Sequence, residues 1–368
     1  MTTHPTSREP TYRSDPRELR SFLRRAGAFV LLGLVLYGIL YVAAESLVRR
    51  YAERNRFHVI QQSVGEEQDV VILGASHAAV FDYRDMNARL EEMTGARVIN
   101  LATVGGGITL NRLLLDYFFA RNHADAVVYV VDSFAFYSPA WNEDRMGDVE
   151  LYRRAPWDAG LAALLLREPA ARQAALGYIS GFVKINDSSR FDPDLFEAEG
   201  TRFDRSYRPI AQIDRQRIEF LYPPEVREAS LEESPYLAEF ERMIEDVQAA
   251  GRRFIVVRPP IPERIREMLP NEATFDAKLR EVLARHGVEL YDFTSVANDP
   301  ELFYDSDHLN RDGVLNFYEQ HFADVIRRAA GKPTGPLEPA SRPRRGAGEA
   351  AAGPGGDDPS VTVETSDE

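Results

Sequence analysis

The chain has 368 residues, 44% of them hydrophobic, enough to bury a full-sized core as one large domain or two ordinary ones. A formal net charge of -14 and a pI near 5.1 speak against the basic face that phosphate-backbone binding needs, so nucleic acid is not an expected partner. With no cysteine there are no disulfides, thiolate nucleophiles or Cys-ligated metal centres, and the compartment must be read from topology.

The first element in chain order is the uncharged run Ala26–Ala44, AGAFVLLGLVLYGILYVAA, whose length falls within the ~17–25 residues of a spanning helix. It predicts a single transmembrane helix over 26–46. Arg13, Arg17, Arg20, Arg24 and Arg25 precede it, while Arg49, Arg50, Arg54 and Arg56 follow. By the positive-inside rule, and by a narrow margin, residues 1–25 lie in the cytoplasm and the rest of the chain outside it. Val42-Ala43-Ala44 also reads as a signal-peptidase site, although the apolar run is longer than the ~7–15 residues of a cleaved signal's core. Residues 47–65 are rich in Arg, Glu, Gln and Asn and read as a short stalk.

A soluble domain over 66–330 follows. Five apolar, β-rich runs, Asp69–Leu73, Arg97–Leu101, Ala126–Val131, Phe254–Arg258 and Val288–Asp292, are mostly continuous, as parallel strands covered on both faces should be. Helical patterns separate several of them. Tyr236, Leu237, Phe240, Ile244 and Val247 form a 3.6-period stripe with Gly251 placed to end the helix, and Val314, Phe317, Tyr318, Phe322 and Val325 form another after Gly313. The expected fold is α/β: a three-layer sandwich around a five-stranded parallel sheet. Residues 150–233 interrupt the pattern and read as an insertion, either a helical cap or a lid that carries specificity. Residues 331–368 are rich in Gly and Pro with a basic cluster and an acidic end, a composition expected to stay disordered.

Two segments carry chemistry. The first strand runs into Gly74-Ala75-Ser76-His77, which puts Ser76 at the carboxyl edge where open α/β sheets bind ligands. A helix N-terminus there aims backbone N–H groups at developing negative charge, although a serine at a strand-to-helix turn also serves as an ordinary N-cap. Asp305-Ser306-Asp307-His308 follows the fifth strand and reaches the same edge. An Asp three residues before a His can meet it across one turn, letting Asp305 hold His308 Nδ1–H while Nε2 accepts a serine proton. Asp307, adjacent in sequence, is expected to point elsewhere and stands as the alternative acidic partner. Asp305 and Asp307 do not make a calcium loop, because position 309 is Leu and the twelfth position is Asn316.

The Ser76 and Asp305-x-x-His308 blocks together resemble the SGNH/GDSL hydrolase family, with its nucleophilic serine after the first strand and its last Asp-x-x-His block. Asn100-Leu101-Ala102-Thr103-Val104-Gly105 resembles that family's second block and identifies Gly105 as an oxyanion-hole donor beside the Ser76 amide. The sequence departs from the pattern twice. Ala75 stands where the family's name-giving motif has Asp, and Val131-Asp132-Ser133-Phe134 stands where a third block supplies an Asn to the oxyanion hole. A carboxylate at 132 would repel an oxyanion, so either Ser133 supplies that donor, or Asp132 is turned away or protonated by burial.

The resemblance implies acyl transfer by an extracytoplasmic, single-pass membrane protein: an esterase or O-acyltransferase acting on an ester of a cell-envelope or exported glycan. It requires no cofactor and no metal, and it admits a membrane-embedded acyl-donor protein as partner. His77, Asn100 and Arg258 are candidate substrate contacts, with a His packed under the loop and a solvated strand-end Arg as the plainer readings. A catalytically inactive SGNH-like module that binds glycan or scaffolds an export complex is the competing expectation, motivated by the missing third-block Asn.

Overall fold

The computed structural model describes residues 16–334; the first part of the N-terminal segment and nearly all of the Gly/Pro-rich tail lie outside the described residues. Helix α1 (Pro16–Tyr51) contains the apolar run and overshoots it at both ends, and it is long and apolar enough to cross a membrane. Its lipid-length window is unburied, but Ala44 near its end is covered by the domain. The stretch read as a stalk is instead docked: α2 (Arg56–Gln62) buries Phe57 and Ile60, and Arg56 Nε donates to Ala102 O at 2.9 Å while Nη1 meets Asp82 at 2.6 Å.

Five strands, β1 (Glu67–Leu73), β2 (Val98–Asn100), β3 (His123–Val130), β4 (Arg253–Arg258) and β5 (Glu289–Asp292), form one sheet in the order β2-β1-β3-β4-β5, with every pairing parallel. Each lies at or within a few residues of an apolar run in the sequence. The runs are continuous because both faces are covered: Val71 and Leu73 enter one core while Val70 and Ile72 enter the other. On the first face pack α2, α3 (Ile108–Phe119), α4 (Pro235–Ala249) and α5 (Glu272–Arg285). The second face takes Met86–Thr94 and the helical run that begins at Arg311–Phe317. Each such aliphatic side chain, fully buried, contributes about 1.5–3 kcal/mol, so the two-sided pattern is the main source of the layered fold.

Gly251 ends its helix as the sequence announces, and the start of the last helical run is set by a cap. Gly251 follows α4 at φ 73 with its N–H on Gln248 O at 2.8 Å, and Asn310 caps the last helical run by accepting from Gly313 N at 2.9 Å. Residues 150–233 fold as short helices, among them α6 (Ala159–Arg167), α7 (Arg172–Ser180), α8 (Phe182–Ile185) and α9 (Ala211–Leu221).

Candidate active site

In the order 2-1-3-4-5, chain connections leave β1 and β3 in opposite directions, which opens a crevice at their carboxyl ends. Ser76 sits at the end of β1 and Asp132 just past β3, at that crevice. Gly74 makes the approach possible: its φ is 145, and a Cβ there would stand 2.7 Å from Val130 O and 2.9 Å from Ala78 Cβ. The turn is tied down from the neighbouring loop, since Gly74 N–H donates to Asn111 Oδ1 at 2.9 Å and Thr103 N–H donates to Gly74 O at 3.2 Å. A four-residue helix, Ser76–Ala79, starts at the serine, and Ala75 at its cap position offers no side-chain cap.

Residues far apart in sequence converge on Ser76. Its Oγ lies 2.7 Å from His308 Nε2, and His308 Nδ1 lies 2.9 Å and 3.0 Å from the two oxygens of Asp305. Asp305 also accepts from the backbone N–H of Asp307 at 3.1 Å and of His308 at 2.9 Å, so the turn that presents the imidazole is built by the carboxylate that orients it. Ser76 and His308 are 7% and 4% exposed, a dry setting in which hydrogen bonds and charges act more strongly than in water.

Asp307 departs from the expectation that it points elsewhere. It is buried below His308, with Oδ1 3.2 Å from Nδ1, and its two oxygens receive Arg217 Nε at 3.1 Å and 3.0 Å. Arg217 comes from α9 in the insertion and also brings Nη2 to 3.5 Å from His308 Nε2. The His308 ring is sandwiched between His77, with centroids 4.6 Å apart, and Tyr304 at 5.5 Å. His77 Nδ1–H in turn donates to Asp132 at 2.6 Å, and its Nε2 faces Asp307 Oδ2 at 3.5 Å.

The electrostatics follow from these contacts. Burial pulls the His77 imidazole down, but Asp132 and Asp307 together outweigh it and push the ring up to about 10, so it is a cation at neutral pH. Burial likewise opposes charge on His308, and Asp305 with Asp307 holds it above the ordinary histidine range. Burial would raise Asp307; Arg217, then His308, instead keep its carboxyl well below the usual carboxylate range. Asp305 is also lowered, burial being overcome mainly by His308.

The remaining candidates have other partners. Asn100 uses both ends of its amide within the chain, Nδ2 donating to Ala78 O and Oδ1 accepting from Ala102 N–H, each at 2.9 Å, so it builds the loop rather than facing a ligand. Arg258 is buried among Glu272, Asp276 and Asp292, which occupies its guanidinium and corrects the picture of a free or solvated strand-end arginine. Ser133 donates its hydroxyl to Glu272 at 2.7 Å and receives Tyr222 OH at 2.6 Å, so its proton is committed. Burial raises Glu272, with Arg258 opposing. Gly105 has φ 70 and a Trp141 ring atom 3.2 Å from where a Cβ would be, a position that favours glycine on conformation and space together. A cleft of about 330 Å³ lies beside this loop and includes Thr103, Val104 and Arg145 but neither Ser76 nor His308.

His77, Asp307 and His308 are close enough together to offer three metal-ligand atoms. Arg217 already supplies a positive charge against Asp307, and Ser76 occupies His308 Nε2, so the donor set is engaged by the chain's own groups. Sequence reasoning missed Arg217 and the His77–Asp132 pair. His77 was a candidate beside Ser76, but its partner Asp132 lies 55 positions on and Arg217 lies 90 positions before Asp307, so only the fold brings these groups together.

No family model matches the chain, and no curated protein matches it. Among solved structures, one described as a putative platelet activating factor from Streptococcus pneumonia is similar at 13% identity, covering 80% of this chain and 99% of that one, with a TM-score of 0.36.

Proposed function

We propose that the chain is a serine-dependent acyl-transfer enzyme of SGNH/GDSL type, anchored by α1 and acting outside the cytoplasm on an ester of a cell-envelope or exported glycan. The observation that carries the reading is the Ser76 Oγ to His308 Nε2 contact of 2.7 Å with Nδ1 held 2.9 Å from Asp305. Nucleophile, base and orienting carboxylate are thus within hydrogen-bond reach, with Ser76 and His308 buried and Asp305 half-buried.

In the proposed reaction Ser76 Oγ attacks the ester carbonyl carbon as its proton passes to His308 Nε2. The tetrahedral oxyanion is stabilised by the N–H groups of Ser76 and Gly105. Collapse breaks the bond to the alcohol oxygen, which takes the proton from His308 and leaves an acyl-Ser76 ester. Water or a sugar hydroxyl then enters by the reverse sequence, so one site serves an esterase or an O-acyltransferase according to which acceptor reaches it. Asp305 keeps the imidazole in the tautomer with its proton on Nδ1 and stabilises the imidazolium.

Asp132 in place of an oxyanion-hole Asn favours the reading of an inactive glycan-binding or scaffold module. Its pairing with the His77 cation speaks for activity, because a neutralised carboxylate no longer opposes an adjacent oxyanion. Turnover separates the two. The purified full chain is expected to hydrolyse a simple aryl acetate, and Ser76→Ala and His308→Ala are each expected to lose about 10³-fold or more in kcat with the circular dichroism spectrum unchanged. A wild-type rate equal to that of Ser76→Ala would support the binding module.

A further inference from the structure

The surface of the insertion nearest α1 has no role in the chemistry above, yet it is apolar and closely registered against the helix. Glu45, the first charged residue after the apolar run, pairs with Lys184 Nζ of α8 at 2.6 Å. Tyr41, one turn lower, lies against Gly181, where a Cβ would overlap its ring. Tyr37, another turn down, donates its OH to Ser180 O at 2.9 Å. Residues 180 to 184 therefore run alongside residues 37 to 45, and Ser180 lies about 12 Å below Glu45 at 1.5 Å per helical residue. Side chains on a helix lean toward its N-terminus, so the Tyr37 hydroxyl sits no higher than its own backbone.

An uncharged run as long as Ala26–Ala44 spans about the ~30 Å of a hydrocarbon core, with little slack to slide outward. The turn joining α7 to α8 then lies inside the end of the apolar layer rather than above it. Its outward side chains suit that depth: Leu176 is 65% and Phe182 60% exposed, while Lys184 is turned inward onto Glu45. A soluble surface would gain nothing from presenting both residues beside a membrane helix.

We propose that the helix–turn–helix of residues 172–185 is a second, monotopic membrane contact, which dips Leu176 and Phe182 into the outer acyl layer beside α1. The occupant of this surface is lipid, because Ser180, Gly181 and Lys184 lie directly against Tyr37, Tyr41 and Glu45 of the helix that lipid surrounds. The proposal rests on α1 spanning the bilayer. A contact at two points would hold the domain at a set height and tilt above the membrane, where interfacial elements typically reach ~5–10 Å into the boundary.

Because the chain has no cysteine, a single thiol can be placed and labelled without background. Full-length Phe182→Cys, carrying an environment-sensitive fluorophore, would be reconstituted in phosphatidylcholine vesicles and compared with Leu36→Cys in the span and Glu281→Cys on the exposed face of α5. The label at 182 is expected to be quenched by lipids with a nitroxide high on the acyl chain, and to be shielded from aqueous iodide several-fold relative to 281. Iodide quenching at 182 equal to that at 281, with 36 still quenched by deep nitroxide, would overturn the proposal and leave the spanning helix intact. Shielding of 182 from both quenchers would also overturn it, by indicating a protein partner. Iodide access at 36 would overturn the spanning reading itself.

Discussion

At the scale of single residues, the site is a stack of charges around one imidazole. His308 has two carboxylates within 3.2 Å of Nδ1, Asp305 on the open side and Asp307 pinned from below by Arg217. Both raise its pKa, and a base works only when unprotonated. The acid limb of kcat/KM is therefore expected above the ordinary histidine value of ~6.5. Asp307→Asn removes a raising charge, so it should move that limb to lower pH; a limb that stays in place would show that Asp307 does not act on His308. Asp305→Asn should instead lower kcat steeply, toward the ~10⁴-fold seen when an orienting carboxylate is replaced by an amide that stabilises the wrong tautomer. Equal kcat losses in the two variants at the pH optimum would reverse these assignments. The expectation that Asp307 turns away came from treating neighbours in sequence as pointing apart, which holds on a regular strand. Here the Asp305 carboxylate gathers the N–H groups of 307 and 308 into a tight turn, and both acids reach the ring.

At the scale of elements, the carboxyl ends of β1 and β3 decide what can meet. Gly74 carries the closest approach, and Gly74→Ala combines a φ of 145 with a Cβ 2.7 Å from Val130 O. That variant should lose more than about 1 kcal/mol of stability in denaturant unfolding, with the Ser76 loop displaced and turnover reduced further. Unchanged stability would mean the turn has a second conformation available. β1 to β4 could be read from the sequence because a strand covered on both faces must be apolar at successive positions, as Val70, Val71, Ile72 and Leu73 are. β5 at the sheet edge is exposed or half-buried and was placed by the run Val288–Asp292. Ser76, Asp305 and His308 were legible through their joint resemblance to the SGNH/GDSL blocks, since alone the serine also reads as an N-cap and the histidine as a surface loop residue. Arg217 was not, because α9 is short, half exposed and without a strong apolar stripe, and its partner lies 90 positions on. The His77–Asp132 pair was hidden in a different way, since each residue was judged alone and their opposite charges meet only once the strands are in order.

At the scale of the whole molecule, α1 is fastened to the domain it carries. The stretch after the apolar run looked like a tether because Arg and Asn dominate it, yet Arg56 is buried against Asp82 and Ala102 O, and Lys184 is buried against Glu45. Hydropathy cannot distinguish a solvated polar stretch from one whose charges are paired inside a fold, so the long apolar helix was visible in the sequence and the docking was not. The measurement that bears most directly on this account is fluorophosphonate labelling of the full-length chain, with the modified peptide located by mass spectrometry. The account predicts one adduct, on Ser76, formed rapidly in the wild type, slowed by orders of magnitude in His308→Ala and absent in Ser76→Ala. A folded wild type that takes no label, or takes it on another residue at the same rate in all three proteins, would contradict it.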